Sequence, residues 1–515
     1  MEKQLPIGIT SFRELRQNNY IYVDKTQLIE YLITNYKYVL LARPKGFGKS
    51  ITLTTLEELF KGNKSLFEGL AIAQNQKWEF KPYPVIKLNF RIKSNTAKTF
   101  EIGILKQIQE VVEELLPGRE GEFQNFESVE EYLKQIVKMV YVNTGRPAVI
   151  LIDNYDYPLL STLFNLETAQ QIWEIIRRLI LNVKDCGEMV KFMFITGLTP
   201  LLKSIPFEVT PVEDITLDSH FSNICGFMYE EVVYYFDHYL QGVDLEELKK
   251  WYYGYNFMGE ILFNPIDILG YLRNNNIPHP YWYNTLSTTI FFKVIKSVRF
   301  YSPELENLVM PEKFFSGINL YQLLPEQLIF YFGITTIEEM RETFMGPVFV
   351  FKPANLSVQI HFNDEIIRFL TNRTNIYYYK KQFYYAFKAG DINKFRRNSR
   401  EILKNIDPDH FVKYRFDKWR GIHITILYGY FMSLGAKIKV FNYTHEEIDL
   451  HLELEGRHYI IRISNGESLK ELLRRRYHDL IKAKKVTLLG LDFNRAEFNF
   501  SRIDWEIKEK YGTEI

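Results

Sequence analysis

At 515 residues the chain exceeds what one hydrophobic core holds, and length predicts roughly three domains. Its 46% apolar and 16% aromatic content excludes a disordered or fibrous protein. Lys and Arg number 64 against 63 Asp and Glu, so the net charge of +1 excludes coating of nucleic acid by bulk charge and leaves only a local patch for such a contact.

Two cysteines, Cys186 and Cys225, are too few for a disulfide framework or a cysteine-rich zinc site. The N-terminus lacks the basic-then-apolar layout of a signal peptide, and no apolar run reaches the roughly 18 residues of a membrane span. A soluble, cytoplasmic protein with no membrane partner is expected.

In chain order, Asp24 with Gln27 reads as a capping box before a helix that starts near Leu28. Tyr38–Ala42 reads as a strand, followed by a Gly-rich turn and a helix over 50–60. Residues 84–90, 148–153 and 192–196 are further strands, and the apolar run 148–153 suits a strand buried on both faces. This alternation is that of an α/β fold with a mostly parallel sheet. Past Phe221 helices are expected at 229–240 and 245–252, then an aromatic turn at 253–257 and helical or irregular chain to about 399. From about Trp419 a helix (422–434) leads to strands at 437–442, 448–455 and 459–464, a basic helix (468–484) and a strand (486–492). The expected division is a P-loop domain over 1–220, a mainly helical region over 221–399 and a compact α-β-β-β-α-β module over 400–515.

The turn after the first strand is Arg43-Pro44-Lys45-Gly46-Phe47-Gly48-Lys49-Ser50. A phosphate loop needs a strand that ends abruptly, backbone N–H groups curled around the anion and a helix start facing it. Lys45, Gly46, Phe47, Gly48, Lys49 and Ser50 are the nucleotide-binding candidates, with Lys49 reaching the phosphates and Ser50 a Mg²⁺ ion. Arg43 stands where the strict pattern has its first Gly. The apolar strand ending in Asp153 supplies the second metal-binding candidate. Asn154 follows it, and an amide can orient water but cannot accept its proton. Asp156 is the candidate substitute base, weighed against a turn-forming acid, and Thr196 ends the fourth strand where a polar group could face the γ-phosphate.

These residues, with Leu5–Ile9, Ser11-Phe12, Tyr22–Thr26, Leu66–Leu70, Asp153–Leu159, Ile195–Gly197, Gly254-Tyr255, Asn264-Pro265, Trp282 and Asn284-Thr285, resemble a bacterial family of AAA-ATPase-like proteins that end in a PD-(D/E)XK nuclease domain. The resemblance implies a P-loop NTPase, a helical region and a PD-(D/E)XK-like α/β domain, with ATP and Mg²⁺ as ligands. Arg43 is a trait of that family's loop. Asn154 and Pro200 depart from its pattern, which has Glu and a basic residue there.

In the C-terminal module the family's metal-binding acids and lysine align with Asp449, Arg462 and Ser464. A guanidinium at a metal-ligand position repels Mg²⁺ and is expected to pair with Asp449. A rebuilt metal site from Asp449, His451 and Glu453 is the alternative to a solvated strand face. The basic residues Arg474, Arg475, Arg476, Lys482, Lys484 and Lys485 could grip DNA or RNA phosphates, or form an ordinary charged helix face.

The resulting expectation is an ATP-binding protein with slow or no hydrolysis, coupled to an inactive nuclease-like domain that binds nucleic acid or a partner. The alternatives are an active ATP-dependent nuclease using Asp156, Asp449 and Glu453, and an interaction scaffold with a vestigial P-loop.

Overall fold

The computed structural model describes residues 3–75, 77–119, 128–204, 212–281, 308–316, 324–371, 375–403, 406, 420–440, 448–454, 456–481, 483–494 and 499–509. Trp282, Asn284, Thr285, Glu455 and Lys482 lie outside them. Contacts divide the described chain into two compact units, residues 3–281 with 309–355, and residue 308 with the described residues from 356 to 509.

The first unit is built on β1 (Tyr38–Ala42), β2 (Val85–Asn89), β3 (Ala148–Asp153), β4 (Val190–Gly197) and the short β5 (Glu213–Asp214), all parallel, in the order β2-β3-β4-β1-β5. Every residue of β3 is buried, which is why its sequence is apolar without alternation. Parallel neighbours require crossovers. Before β1 come α1 (Phe12–Gln17) and α2 (Thr26–Asn35). The crossovers are α3 (Lys49–Phe60) and α4 (Ala71–Asn75) between β1 and β2, α5 (Ala97–Leu115) and α6 (Val129–Thr144) between β2 and β3, and α7 (Tyr157–Ser161) with α8 (Leu166–Asp185) between β3 and β4. Helix α8 shows how the sequence specifies this layer. Asn165 caps it through Thr168 N–H, and Ala169, Ile172, Ile176, Leu179, Ile180 and Val183 recur at three- and four-residue spacing and are buried. Each such Leu or Ile contributes about 1.5–3 kcal/mol of burial.

Asp24 does not form the expected capping box. Its Oδ1 accepts from Thr26 N–H and Thr26 Oγ1, and its Oδ2 from Ala71 N–H, so it ties the start of α2 to α4.

Within the same unit, α9 (Tyr229–Tyr235), α10 (Leu245–Tyr252) and α11 (Pro265–Arg273) enclose a small core in which Ile21 and Val23 pack with Val232, Phe236, Leu248 and Ile268. The helix expected over 229–240 ends at Tyr235 and tightens into a 3₁₀ turn at Asp237–Leu240. The expected aromatic turn is a strand, β6 (Tyr253–Asn256), paired antiparallel with β7 (Ile261–Phe263). The helical and irregular chain expected up to 399 contains a three-stranded sheet of β8 (Leu308–Pro311), β9 (Thr335–Thr343) and β10 (Gly346–Pro353), ordered β8-β10-β9.

In the second unit, helices Leu356–Thr371, Ile376–Ala389, Ile392–Leu403 and Arg420–Met432 accompany a mixed sheet. Its strands β11 (Lys437–Val440), β12 (Leu450–Leu454), β13 (Arg457–Ser464), β14 (Lys485–Asn494) and β15 (Asn499–Glu509) lie in sequence order, antiparallel except for the parallel pair β13–β14. Helix Ser468–Arg475 makes that crossover. A Cβ on Gly490 of β14 would lie 2.4 Å from the backbone nitrogen of Leu469, so only glycine lets the helix lie this close. The α-β-β-β-α-β order read from sequence is present, with β15 added at the edge. The contact division falls at Leu356 and not near 399, because the helix from Leu356 packs on helix Arg420–Met432.

Candidate nucleotide-binding site

The site forms at the carboxyl ends of β1, β3 and β4, where a parallel sheet places ligands. The chain leaves β1 at Ala42, turns through residues 43–48 and enters α3 at Lys49, with Gly46 at φ +86° and Gly48 at φ +99°. The first turn of α3 leaves N–H groups without intrahelical acceptors, as any helix start does, and these face an incoming anion. A cavity of about 820 Å³ opens over the loop and is lined by Lys45–Thr52, Arg91, Asp153, Asn154, Cys225 and Ile266.

Three of the expected groups converge. Ser50 Oγ donates to Asp153 Oδ2 at 2.7 Å, and Thr196 Oγ1 donates to Asp153 Oδ1 at 2.5 Å. Lys49 lies beside them, nearly buried, with Nζ donating to the carbonyls of Arg43 (2.8 Å) and Pro44 (3.0 Å). Burial lowers the Lys49 pKa, opposed in part by Asp153, and burial followed by Arg91 and Lys49 lowers that of Lys45. Cations held at such a disadvantage gain from a polyanion placed among them. A hydroxyl and a carboxylate side by side at a helix start, flanked by two lysines, are the hard oxygen donors and charges that fit a phosphate chain with Mg²⁺.

Arg43 explains the missing first glycine. Its guanidinium is 1% exposed and donates to the carbonyls of Ala42, Thr216, Phe221 and Ser222, with the ring of Phe257 at 4.2 Å. Burial pulls its pKa down to about 10, which still leaves it charged at neutral pH. The side chain therefore anchors the root of the loop to the 216–222 segment.

Phe47, expected among the nucleotide-binding residues, turns its ring away from the anion side. It is buried edge-on against Tyr255 (4.9 Å) and Phe257 (5.5 Å), while its carbonyl accepts from Gly226 N–H at 2.8 Å. Asn264 holds the other side of the loop. Its Nδ2 donates to the Lys45 carbonyl at 3.0 Å, and its Oδ1 caps α11 through Ile266 N–H at 3.1 Å. A methyl at Gly46 would lie 2.7 Å from Ile266 and 2.8 Å from Asn264, so this glycine is required by the clamp as well as by its positive φ. Asn264-Pro265 entered the sequence reading only through the family resemblance, and its grip on a loop over two hundred residues earlier was not legible.

The polar residues beyond Asp153 behave differently. Asn154 sits at φ +57° with Nδ2 donating to Asn89 Oδ1 at 3.2 Å, at the rim of the cavity. Asp156 is 1% exposed and does not stand as a free base for water. Its carboxylate accepts from Leu198 N–H, Thr199 N–H (2.6 Å) and Thr199 Oγ1 (2.7 Å). Tyr155 adds a bond from its hydroxyl to the Thr199 carbonyl at 2.6 Å. The Tyr155–Asp156 pair thus staples the end of β3 to the loop after β4. Asn89 and Arg91, both lining the cavity, were not singled out from sequence, since polar residues after a strand carry no distinctive spacing.

In the second unit the three positions that the resemblance aligned with a nuclease motif are taken into the fold. Asp449 is fully buried and its Oδ2 accepts from Ile463 N–H at 2.6 Å. Arg462 pairs with Glu471 of helix Ser468–Arg475, where the sequence expected Asp449, because that helix lies against β13. Ser464 Oγ donates to the Gly466 carbonyl at 2.7 Å and shapes the turn into the helix. Among the described residues no three His, Cys, Asp or Glu side chains could hold a metal ion, which sets aside a site from Asp449, His451 and Glu453. His451 instead meets His458 at 3.3 Å across the strand pair, and Glu453 faces Lys437 at 3.8 Å. The basic helix expected over 468–484 stops at Arg475, where Arg476 takes φ +53° and pairs with Asp479.

Both cysteines are free and buried, and no helix among the described residues is long and apolar enough to cross a membrane. A protein described as uncharacterized and lying in the vnfD 5' region of Azotobacter chroococcum mcd 1 is 28% identical over 511 residues, covering 96% of this chain and 97% of that protein. Residues 6–205 match the AAA-ATPase-like family model, described as a predicted AAA-ATPase, and the phosphate loop, Asp153 and Thr196 all fall inside this AAA-ATPase-like domain.

Proposed function

We propose that this protein binds ATP with Mg²⁺ in the cytoplasm and turns it over slowly or not at all, and that its second unit is a nuclease-like domain that docks and does not cut. In this reading Lys45–Ser50 cradle the phosphates, Ser50 and Asp153 hold the metal, and Thr196 holds Asp153 in place. The bound Mg²⁺ would neutralise phosphate charge.

The observation that carries the reading is the junction of Ser50, Asp153 and Thr196 through two short hydrogen bonds beside Lys49, with Asn154 where a water-activating acid would stand. An amide at that position orients water without removing its proton, and Asp156 is engaged by the loop after β4. The C-terminal half of the proposal is supported by the α-β-β-β-α-β order and by Arg462 standing at a metal-binding acid's position and Ser464 at the lysine's. It takes the chain as a P-loop domain, a connecting region and a nuclease-like domain.

Labelled ATP binding and hydrolysis measured on one preparation test the reading. Binding that requires Mg²⁺ and Lys49, with turnover at least about a hundredfold below the ordinary enzyme range of about 1 s⁻¹ and above, is expected. Steady fast turnover abolished by Lys49→Ala, or Mg²⁺-dependent DNA cleavage abolished by Asp449→Ala, would overturn the corresponding half.

A further inference from the structure

The helix Ile376–Ala389, Ile-Tyr-Tyr-Tyr-Lys-Lys-Gln-Phe-Tyr-Tyr-Ala-Phe-Lys-Ala, contains no carboxylate. Its inner face is ordinary, with Ile376, Phe383, Ala386 and Phe387 buried. Its outer face is not the alternation of Glu and Lys that usually solvates a helix. Tyr377, Tyr378 and Tyr385 stand 75%, 50% and 44% exposed, and Lys381 and Lys388 are exposed among them.

The same character continues onto the next helix, Ile392–Leu403. Lys394 lies over the Tyr385 ring at 5.6 Å, and the exposed Arg397 follows one turn later. At the end of the first helix Arg457 donates to the carbonyls of Phe387 and Lys388, adding a cation where the helix dipole is negative. Among the described residues the acids at the margin are Asp391, which caps the second helix through Lys394 N–H, the exposed Glu401, and Asp364 and Asp504, which pair with Lys380 and Arg396.

We infer that this tyrosine and lysine face binds single-stranded nucleic acid. Exposed rings offer flat faces on which unpaired bases stack regardless of sequence, and cations spaced between them meet the phosphates of the same strand. A duplex, whose bases are already stacked, would use only the cations. The inference deepens the docking role proposed for the second unit and is independent of nucleotide binding by the first. It places the contact on helices before the nuclease-like motif and not on the Ser468–Arg475 helix that drew attention in the sequence.

The test is fluorescence anisotropy of a labelled oligo-dT strand of about 20 nucleotides with the full chain, since sites of this kind span about 4–16 nucleotides. Tyr377→Ser and Tyr385→Ser should each weaken binding about tenfold, in the range of one lost stacking contact. Lys381→Gln with Lys388→Gln should flatten the plot of log affinity against log salt by about 0.7 per lost phosphate contact. Tyr234→Ser, exposed in the first unit, should change nothing. These side chains lie on the surface, so the variants are expected to fold.

Absence of binding with ATP binding intact overturns this proposal alone. Binding lost in Arg474→Gln with Arg475→Gln but not in the tyrosine variants also overturns it, while leaving the docking role standing. Capture by phosphatidylserine vesicles, sensitive to the same tyrosines and without oligonucleotide binding, would make the face a membrane contact instead.

Discussion

The two units treat their motif residues in opposite ways. In the first, Ser50 and Asp153 line an 820 Å³ cavity, the buried Thr196 is bonded to Asp153, and Arg43, Phe47 and Asn264 hold the loop between β1 and α3 in place. In the second, Asp449, Arg462 and Ser464 are each bonded into the surrounding fold, to a strand amide, a helix carboxylate and a turn carbonyl. The first set borders, through Ser50 and Asp153, a space that a ligand can enter, whereas the second is engaged by a neighbouring strand, helix and turn.

That contrast can be broken most forcefully at Arg43. Arg43→Ala leaves several buried carbonyls without a donor and a cavity beside Phe257, and should cost about 3–5 kcal/mol in urea unfolding of the first unit. A loss below about 1 kcal/mol would mean that the loop is not anchored there.

Asn154→Glu sharpens the comparison from the other side. An acid at that position supplies the missing proton acceptor, and ATP turnover should rise by about 10²-fold, the low end for general-base catalysis. Some of the gain will be offset by about 1 kcal/mol of strain, because φ +57° suits Asn better than Glu. Unchanged turnover would place the limiting defect elsewhere.

In the second unit Asp449→Asn should act on stability and not on metal. The Ile463 N–H loses a charged acceptor, for about 1–2 kcal/mol, and EDTA should leave the unfolding curve of this unit unmoved in both forms. A curve that shifts when Mg²⁺ is removed would restore a metal role for Asp449. The smallest effect is expected for Glu471→Gln, whose partly exposed pair with Arg462 should contribute no more than about 1 kcal/mol.

Much of this was legible because local signals were strong. β3 is a continuous apolar run, and the Gly46–Ser50 turn between β1 and α3 has its spacing fixed by phosphate geometry. Asp153 could be found because it ends such a run. What was not legible depends on partners far along the chain. Beyond the adjacent Ala42 carbonyl, the Arg43 guanidinium finds its acceptors more than 170 residues later, and nothing near it announces them. Phe47 reads as a loop residue until Tyr255 and Phe257 are brought against it. Asp156 looks like an available base because its donors, Leu198 and Thr199, follow a different strand. Strand β9 escaped because only Thr335, Thr336 and Ile337 are buried, and the rest is a charged, solvated ribbon. The helix over 468–484 was overextended because Arg476 adopts a left-handed conformation that its side chain does not signal.

The most direct measurement is isothermal titration of the full chain with ATP in Mg²⁺, beside Lys49→Ala. Saturable binding to the unaltered chain, weakened about a hundredfold or more when that buried ammonium is removed, is what two or more lost charge-assisted hydrogen bonds predict. Equal heats from both proteins, or none from either, would contradict a phosphate site at the head of α3.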